Sequence, residues 1–199
     1  EVRGNLGVEW YKPIEPYIPY KVQPVFADGN ILISTSKGLY AFNTSGAQLW
    51  VYPTELPLGH SPTIATVNGA NVAYVGGFDH KIHAVTLLGQ DAAGYTPYEA
   101  GAGFDTNPVV VNNTVYAGNR DGYFYALDAV TGNLRWRYQT GGPISFSAAY
   151  KNGVLYFASN DSYAYALTET GSLVWKSQQL GGAGFDGYWP VVYTEKTTG

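Results

Sequence analysis

The stretch 121-DGYFYALDAVTGNLRW-136 decides the fold. It opens on the turn pair Asp121-Gly122 and runs into the apolar, aromatic-rich segment Tyr123 to Leu127. A second turn, "DAVTGN", follows, and Leu134-Arg135-Trp136 begins another extended run. Asp-Gly between alternating apolar runs is a strong hairpin signal, since a two-residue hairpin turn puts both residues at positive φ. The stretch therefore reads as two hairpins sharing one strand, with Tyr125, Ala126 and Leu127 as core residues.

The same element recurs along the chain. Tyr125-Ala126-Leu127 has counterparts in Tyr40-Ala41-Phe42, His83-Ala84-Val85 and Tyr165-Ala166-Leu167, with the alanines 43, 42 and 40 residues apart. A glycine follows each copy (Gly46, Gly89, Gly132 and Gly171), and four residues beyond it stand Trp50, Ala93, Trp136 and Trp175. Equivalent turns fall at Lys37-Gly38, Asp79-His80 and Asp161-Ser162. The apolar runs "QPVFA", "SPTIATV", "NPVVV" and "SFSAAY" precede the copies and supply a first strand for each. No helical periodicity is evident.

Four short strands repeated about every 40 residues predict an all-β fold, a β-propeller of four-stranded antiparallel blades. The blades are expected at residues 22–52, 60–96, 105–140 and 144–179, within a single domain over 1–199. Part-blades are expected at 6–12, around Trp10, and at 188–193, around Trp189. One outer strand, about four blades and one inner strand leave open edges, which recruit other strands. The chain is thus expected to be part of a larger ring, with a compact four-bladed ring as the alternative.

Composition supports a folded, turn-rich β protein: 45% of residues are hydrophobic and 16% aromatic against 13% charged, with 25 glycines. The formal charge of −4 without a basic cluster argues against nucleic acid as a partner. No apolar run approaches the roughly 20 residues of a transmembrane segment. The absence of cysteine excludes a disulfide framework, a thiolate metal site and a cysteine nucleophile.

"VYAGNRDGYFYALDAVTGNLRW" resembles the PQQ-like repeat shared by quinoprotein dehydrogenases and BamB-type outer-membrane assembly lipoproteins. The resemblance implies rings of seven or eight blades. It also implies that Trp50, Trp136 and Trp175 pack on a neighbouring blade near the small Ala and Gly of the motif. The second blade departs from the pattern, with Ala93 in the tryptophan slot and a looser segment, "LLGQDAAGYTPYEAG".

Candidate chemistry is sparse. "AGFD" occurs twice, ending at Asp105 and Asp186, each time leading into an inner strand, and His60 in "GHSP" holds a similar place. His60, Asp105 and Asp186 could converge near the propeller axis and bind a ligand. The simpler reading is that each Asp fixes its turn by accepting backbone hydrogen bonds. His83 occupies a tyrosine slot and reads as a packing residue, while Asp128 and Thr131 read as turn-stabilising. Sequons at Asn43, Asn112 and Asn160 fall on turns that could carry a glycan. No motif for a hydrolase nucleophile, a phosphate loop or a zinc helix is present, so no catalytic residue, metal or cofactor is assigned.

The resemblance implies two classes of function. The expected one is a non-catalytic, exported propeller in the periplasm, at the cell surface or outside the cell. It would bind protein or surface glycan, or act as a structural module that self-assembles through its open blade edges. The alternative is a fragment of a PQQ-dependent quinoprotein dehydrogenase. Alcohol-oxidising members of that family carry an adjacent cysteine pair, which this chain lacks.

Overall fold

The computed structural model describes Tyr11 and residues 13–181, and these form four antiparallel meander sheets. The first sheet runs β1 (Val25–Ala27), β2 (Asn30–Thr35), β3 (Gly38–Phe42) and β4 (Gln48–Pro53). The second has β5 (Thr63–Val67), β6 (Ala70–Gly76) and β7 (Ile82–Thr86). The third is β8 (Val109–Val111), β9 (Thr114–Gly118), β10 (Tyr123–Asp128) and β11 (Leu134–Gln139). The fourth is β12 (Ala149–Lys151), β13 (Val154–Ser159), β14 (Tyr163–Thr168) and β15 (Leu173–Lys176). These are the blades of an all-β propeller. The terminal strands expected at 6–12 and 188–193 lie outside the described residues, apart from Tyr11, which is in no strand.

The turn chemistry differs from the sequence expectation in one respect. The two-residue turns with both φ values positive join the first and second strands of each blade: Asp28-Gly29, Asn68-Gly69, Asn112-Asn113 and Asn152-Gly153. At Asp121-Gly122 only Gly122 is left-handed, at φ 87°. Gly122 N donates to Asn119 O at 3.2 Å, and Asn119 N to Tyr123 O at 3.0 Å, so the loop spans four residues. His80 and Ser162, both at φ 70°, take the same place in their blades.

The second blade carries no fourth strand. Where the others place a tryptophan strand, it has only a bridge between Val85 and Asp91 and a 2.8 Å bond from Ala92 N to Ala84 O. Ala92 and Ala93 offer little side chain to pack, Gly94 turns at φ 79°, and Pro97 has no N–H to donate.

Three apolar seams join the blades. Leu32, Leu39 and Ala41 meet Ala73, Val75 and Val85 at the first. Tyr74, Ile82 and Ala84 meet Val115, Ala117 and Tyr125 at the second, and Tyr116, Phe124 and Ala126 meet Leu155, Phe157 and Tyr165 at the third. The middle strands of the second and third blades lie between two seams and are covered on both faces; all five residues of β9 are buried. Trp50 donates its indole N–H to Leu87 O at 2.9 Å, and a Cβ on Gly89 would stand 2.7 Å from its ring. Trp136 repeats this two seams on, bonding Glu169 O at 2.8 Å above Gly171, where a Cβ would come within 2.8 Å of the ring. Trp175 touches Tyr156 of its own blade and stays 44% exposed.

These environments should separate two like substitutions. Trp136→Ala is expected to lower unfolding free energy by about 2–3 kcal/mol in urea titrations. Trp175→Ala should cost below about 1 kcal/mol. Equal losses would show that the seam contact is not what Trp136 contributes.

Candidate binding site at the axial mouth

The segments leading into the four inner strands surround a common cavity of about 320 Å³, lined by Gln23, His60, Ser61, Asn107 and Ser147. They are tied sideways: Gln23 N donates to Ser61 Oγ at 2.7 Å, and Asn107 N to Ser147 Oγ at 2.8 Å. A second, open cavity of about 750 Å³ lies beside it, and Lys21 lines both. Tyr20, Phe78, Asp105, Arg120 and Phe146 wall this outer chamber.

Repeat register explains the convergence. Lys21, Gly59, Asp105 and Ser145 each stand three residues before the position that opens an inner strand (Pro24, Pro62, Pro108 and Ala148). One slot, contributed by each blade, thus meets at the axis. Lys21 Nζ lies 3.5 Å from Asp105 Oδ2 and donates to Ser145 O at 3.4 Å, linking the first blade to the third and fourth. Gly59 is obligatory at its slot, since a Cβ there would sit 2.8 Å from Phe104 O. Arg120, on the β9–β10 turn, places Nη2 3.8 Å from Asp105 Oδ2 and its guanidinium over Phe78, 5.4 Å from the ring centre.

Electrostatics follow burial. Burial pushes the Asp105 carboxyl above its usual range, while Lys21 and Arg120 pull against it. His60 is 4% exposed. Burial first, and the Lys21 charge second, bring its pKa from 6.5 down to about 4.

Of the residues singled out from sequence, His60 and Asp105 thus face adjacent chambers with Lys21 between them. Asp186 lies outside the described residues. Lys21, Arg120 and the flanking aromatics escaped the sequence reading; the slot three residues before the inner-strand proline was the available signal for Lys21.

The remaining polar groups serve turns and seams. His83 does more than pack: Nε2 lies 2.9 Å from Asp79 Oδ2 and Nδ1 3.3 Å from the Tyr52 hydroxyl, which donates to Asp91 at 2.6 Å. Tyr125 and Tyr165 likewise donate to Asp121 and Asp161, whose carboxylates also accept Gly101 N and Gly141 N. Asp128 caps its turn through Val130 N and Thr131 N and pairs with Arg135, which together hold its pKa down at about 2 against desolvation. Among the sequons, Asn43 accepts from Ser45 and Ala47, and Asn112 donates to Glu169. Asn160 is exposed and lines the outer chamber. No group of three or more His, Asp or Glu among the described residues is arranged to hold a metal ion.

Fold and site together define a run of propeller blades with a charged, aromatic-walled axial mouth. The family model described as outer membrane protein assembly factor BamB matches residues 89–185. The BamB of Moranella endobia is 32% identical over 175 residues, covering 79% of this chain and 43% of that protein. The dehydrogenase subunit of the quinone alcohol dehydrogenase of Gluconobacter oxydans is 37% identical over 97 residues, 40% of this chain and 13% of that one. The crystal structure of BamB from Moraxella catarrhalis superposes with a TM-score of 0.64 at 17% identity, covering 84% of this chain and 51% of that one. These matches support a PQQ-like repeat chain of BamB type, and the chain spans less than half the length of the BamB relatives it matches.

The buried His60 gives the mouth a pH signature. Between pH 6.5 and about 4 the unfolded chain holds more protons at this residue than the fold does. Its contribution is intact above 6.5 and is lost as pH falls towards 4, on the order of 2–3 kcal/mol. Unfolding free energies at pH 7 and 4.5 should therefore converge for His60→Gln relative to the wild type. An unchanged pH dependence in the variant would contradict this.

Proposed function

We propose that the chain is a non-catalytic module of an exported envelope propeller, and that its axial mouth is a platform for a protein partner in outer-membrane assembly. The observation that carries this is the mouth itself. Asp105, its one buried carboxylate among the described residues, is held between two cations, and an exposed rim surrounds it, with Tyr17 at 64% and Tyr20 at 89% exposure. Rigid aromatic side chains beside charges suit partner contact, because they bury area at low conformational cost. The BamB relatives support a protein over a glycan as that partner. The exposed Trp175 edge supports lateral joining to a further blade.

The quinone dehydrogenase likeness favours the alternative of an enzyme fragment, and the mouth does not fit that chemistry. A calcium ion beside Asp105 would meet Lys21 at 3.5 Å and Arg120 at 3.8 Å from the same oxygen, and the sequence has no cysteine pair.

An unfolded outer-membrane β-barrel polypeptide, diluted from urea, tests the proposal by fluorescence anisotropy. Saturable binding is expected, weakened about tenfold or more when Tyr17 and Tyr20 are both changed to Ala. Binding indifferent to these changes would overturn the placement at the mouth. PQQ absorbance shift and dye reduction in the presence of calcium would instead support the enzyme fragment.

A further inference from the structure

We infer that the axial mouth holds a carboxylate-binding site, formed by the Lys21 ammonium and the Arg120 guanidinium above the rings of Phe78 and Phe146. It deepens the platform reading by naming what the mouth recognises.

Among the described residues, the charges in the mouth do not balance. Two cations, from the first and third blades, share the single Asp105 carboxylate at 3.5 and 3.8 Å. Well-formed charge-assisted hydrogen bonds lie near 2.7–2.9 Å. The other bond of the Lys21 ammonium, to Ser145 O, is also long at 3.4 Å. Its side chain is only 15% exposed, so water offers limited compensation. Net positive charge with unspent donors, in a low-dielectric setting, selects an incoming anion.

Shape narrows that anion to a carboxylate carried on a larger body. The Arg120 fork is planar, half-exposed and steadied over Phe78, which suits two-point contact with a carboxylate. Lys21 also lies 5.5 Å from the Phe146 ring centre, so apolar walls flank the charge on the other side. The chamber of about 750 Å³ admits several residues' worth of peptide or a compact organic acid. Asp105 then acts as the resident carboxylate that any ligand must compete with.

Calorimetric titration of the whole chain tests this with three probes: an acetylated tripeptide bearing a free C-terminal carboxylate, its C-terminal amide, and succinate. The free acid should bind at least tenfold more tightly than the amide. Arg120→Gln, at a half-exposed position, should weaken the acid at least fivefold and leave the amide unchanged. Asp105→Asn should tighten the acid several-fold by removing its competitor. Succinate binding as tightly as the peptide acid would identify a small organic acid as the source, and succinate binding far more weakly a peptide; both support the site. Equal affinity for acid and amide, or Asp105→Asn leaving the acid's affinity unchanged, would overturn it. Unfolded polypeptide that still binds through Tyr17 and Tyr20, with no dependence on carboxylate, would sink this site and leave the platform standing. If neither probe class binds, the platform falls as well.

Discussion

The rest of the structure depends on the seat of an outer-strand tryptophan on the glycine of the next blade. A blade is a small sheet with two apolar faces, and alone it could not bury enough surface to offset chain entropy. Trp50 on Gly89 and Trp136 on Gly171 fix the rotation between successive sheets. Each adds an indole N–H bond to a backbone carbonyl of the next blade. The glycine serves twice, by accepting a left-handed backbone (φ 79° at Gly89, 83° at Gly171) and by leaving room for the ring. The middle seam lacks the tryptophan: Gly132 lies against Thr96 O, and Tyr98 packs on Tyr125. That junction relies more on its buried core, where Tyr74 donates to Ala129 O at 2.6 Å.

Stacked this way, equivalent residues of successive blades meet at the axis, so one slot per blade composes the mouth. Regular strands and seams leave that slot free to vary. It holds Lys21, Gly59, Asp105 and Ser145, a cation, a gap, an anion and a carbonyl. Asp105 is approached by Arg120 of its own blade and by Lys21 of the first, so the mouth is sensitive to the packing of the run.

Much of the fold was legible because its determinants are local. Turn residues, the aromatic-Ala-apolar triplet and the tryptophan spacing lie within single blades, so simple periodicity reveals them. The turn type at Asp121-Gly122 was misjudged, because Asp-Gly serves a four-residue loop as well as a two-residue one. The outer edge of the second blade was legible as a departure from the repeat, though not as the loss of a strand: Ala93 and Gly94 give it nothing to seat. His83 shows a third limit: its slot is readable from the repeat, but its bonds to Asp79 and Tyr52 depend on a turn and a neighbouring blade. The mouth was half legible. Asp105 and His60 stood out as unusual residues before inner strands, whereas Lys21 acquires meaning only through contacts made 84 and 124 positions away.

The seat of tryptophan on glycine is the central claim, and a double-mutant cycle on Trp136 and Gly171 tests it most directly. With Trp136 present, Gly171→Ala must bear both left-handed strain and a methyl pressed into the indole. With Trp136→Ala the methyl meets no ring and only the backbone strain, about 1 kcal/mol, remains. The account requires a coupling of at least about 1 kcal/mol in urea unfolding, with Gly171→Ala cheaper in the tryptophan-less background. Costs that simply add would contradict it.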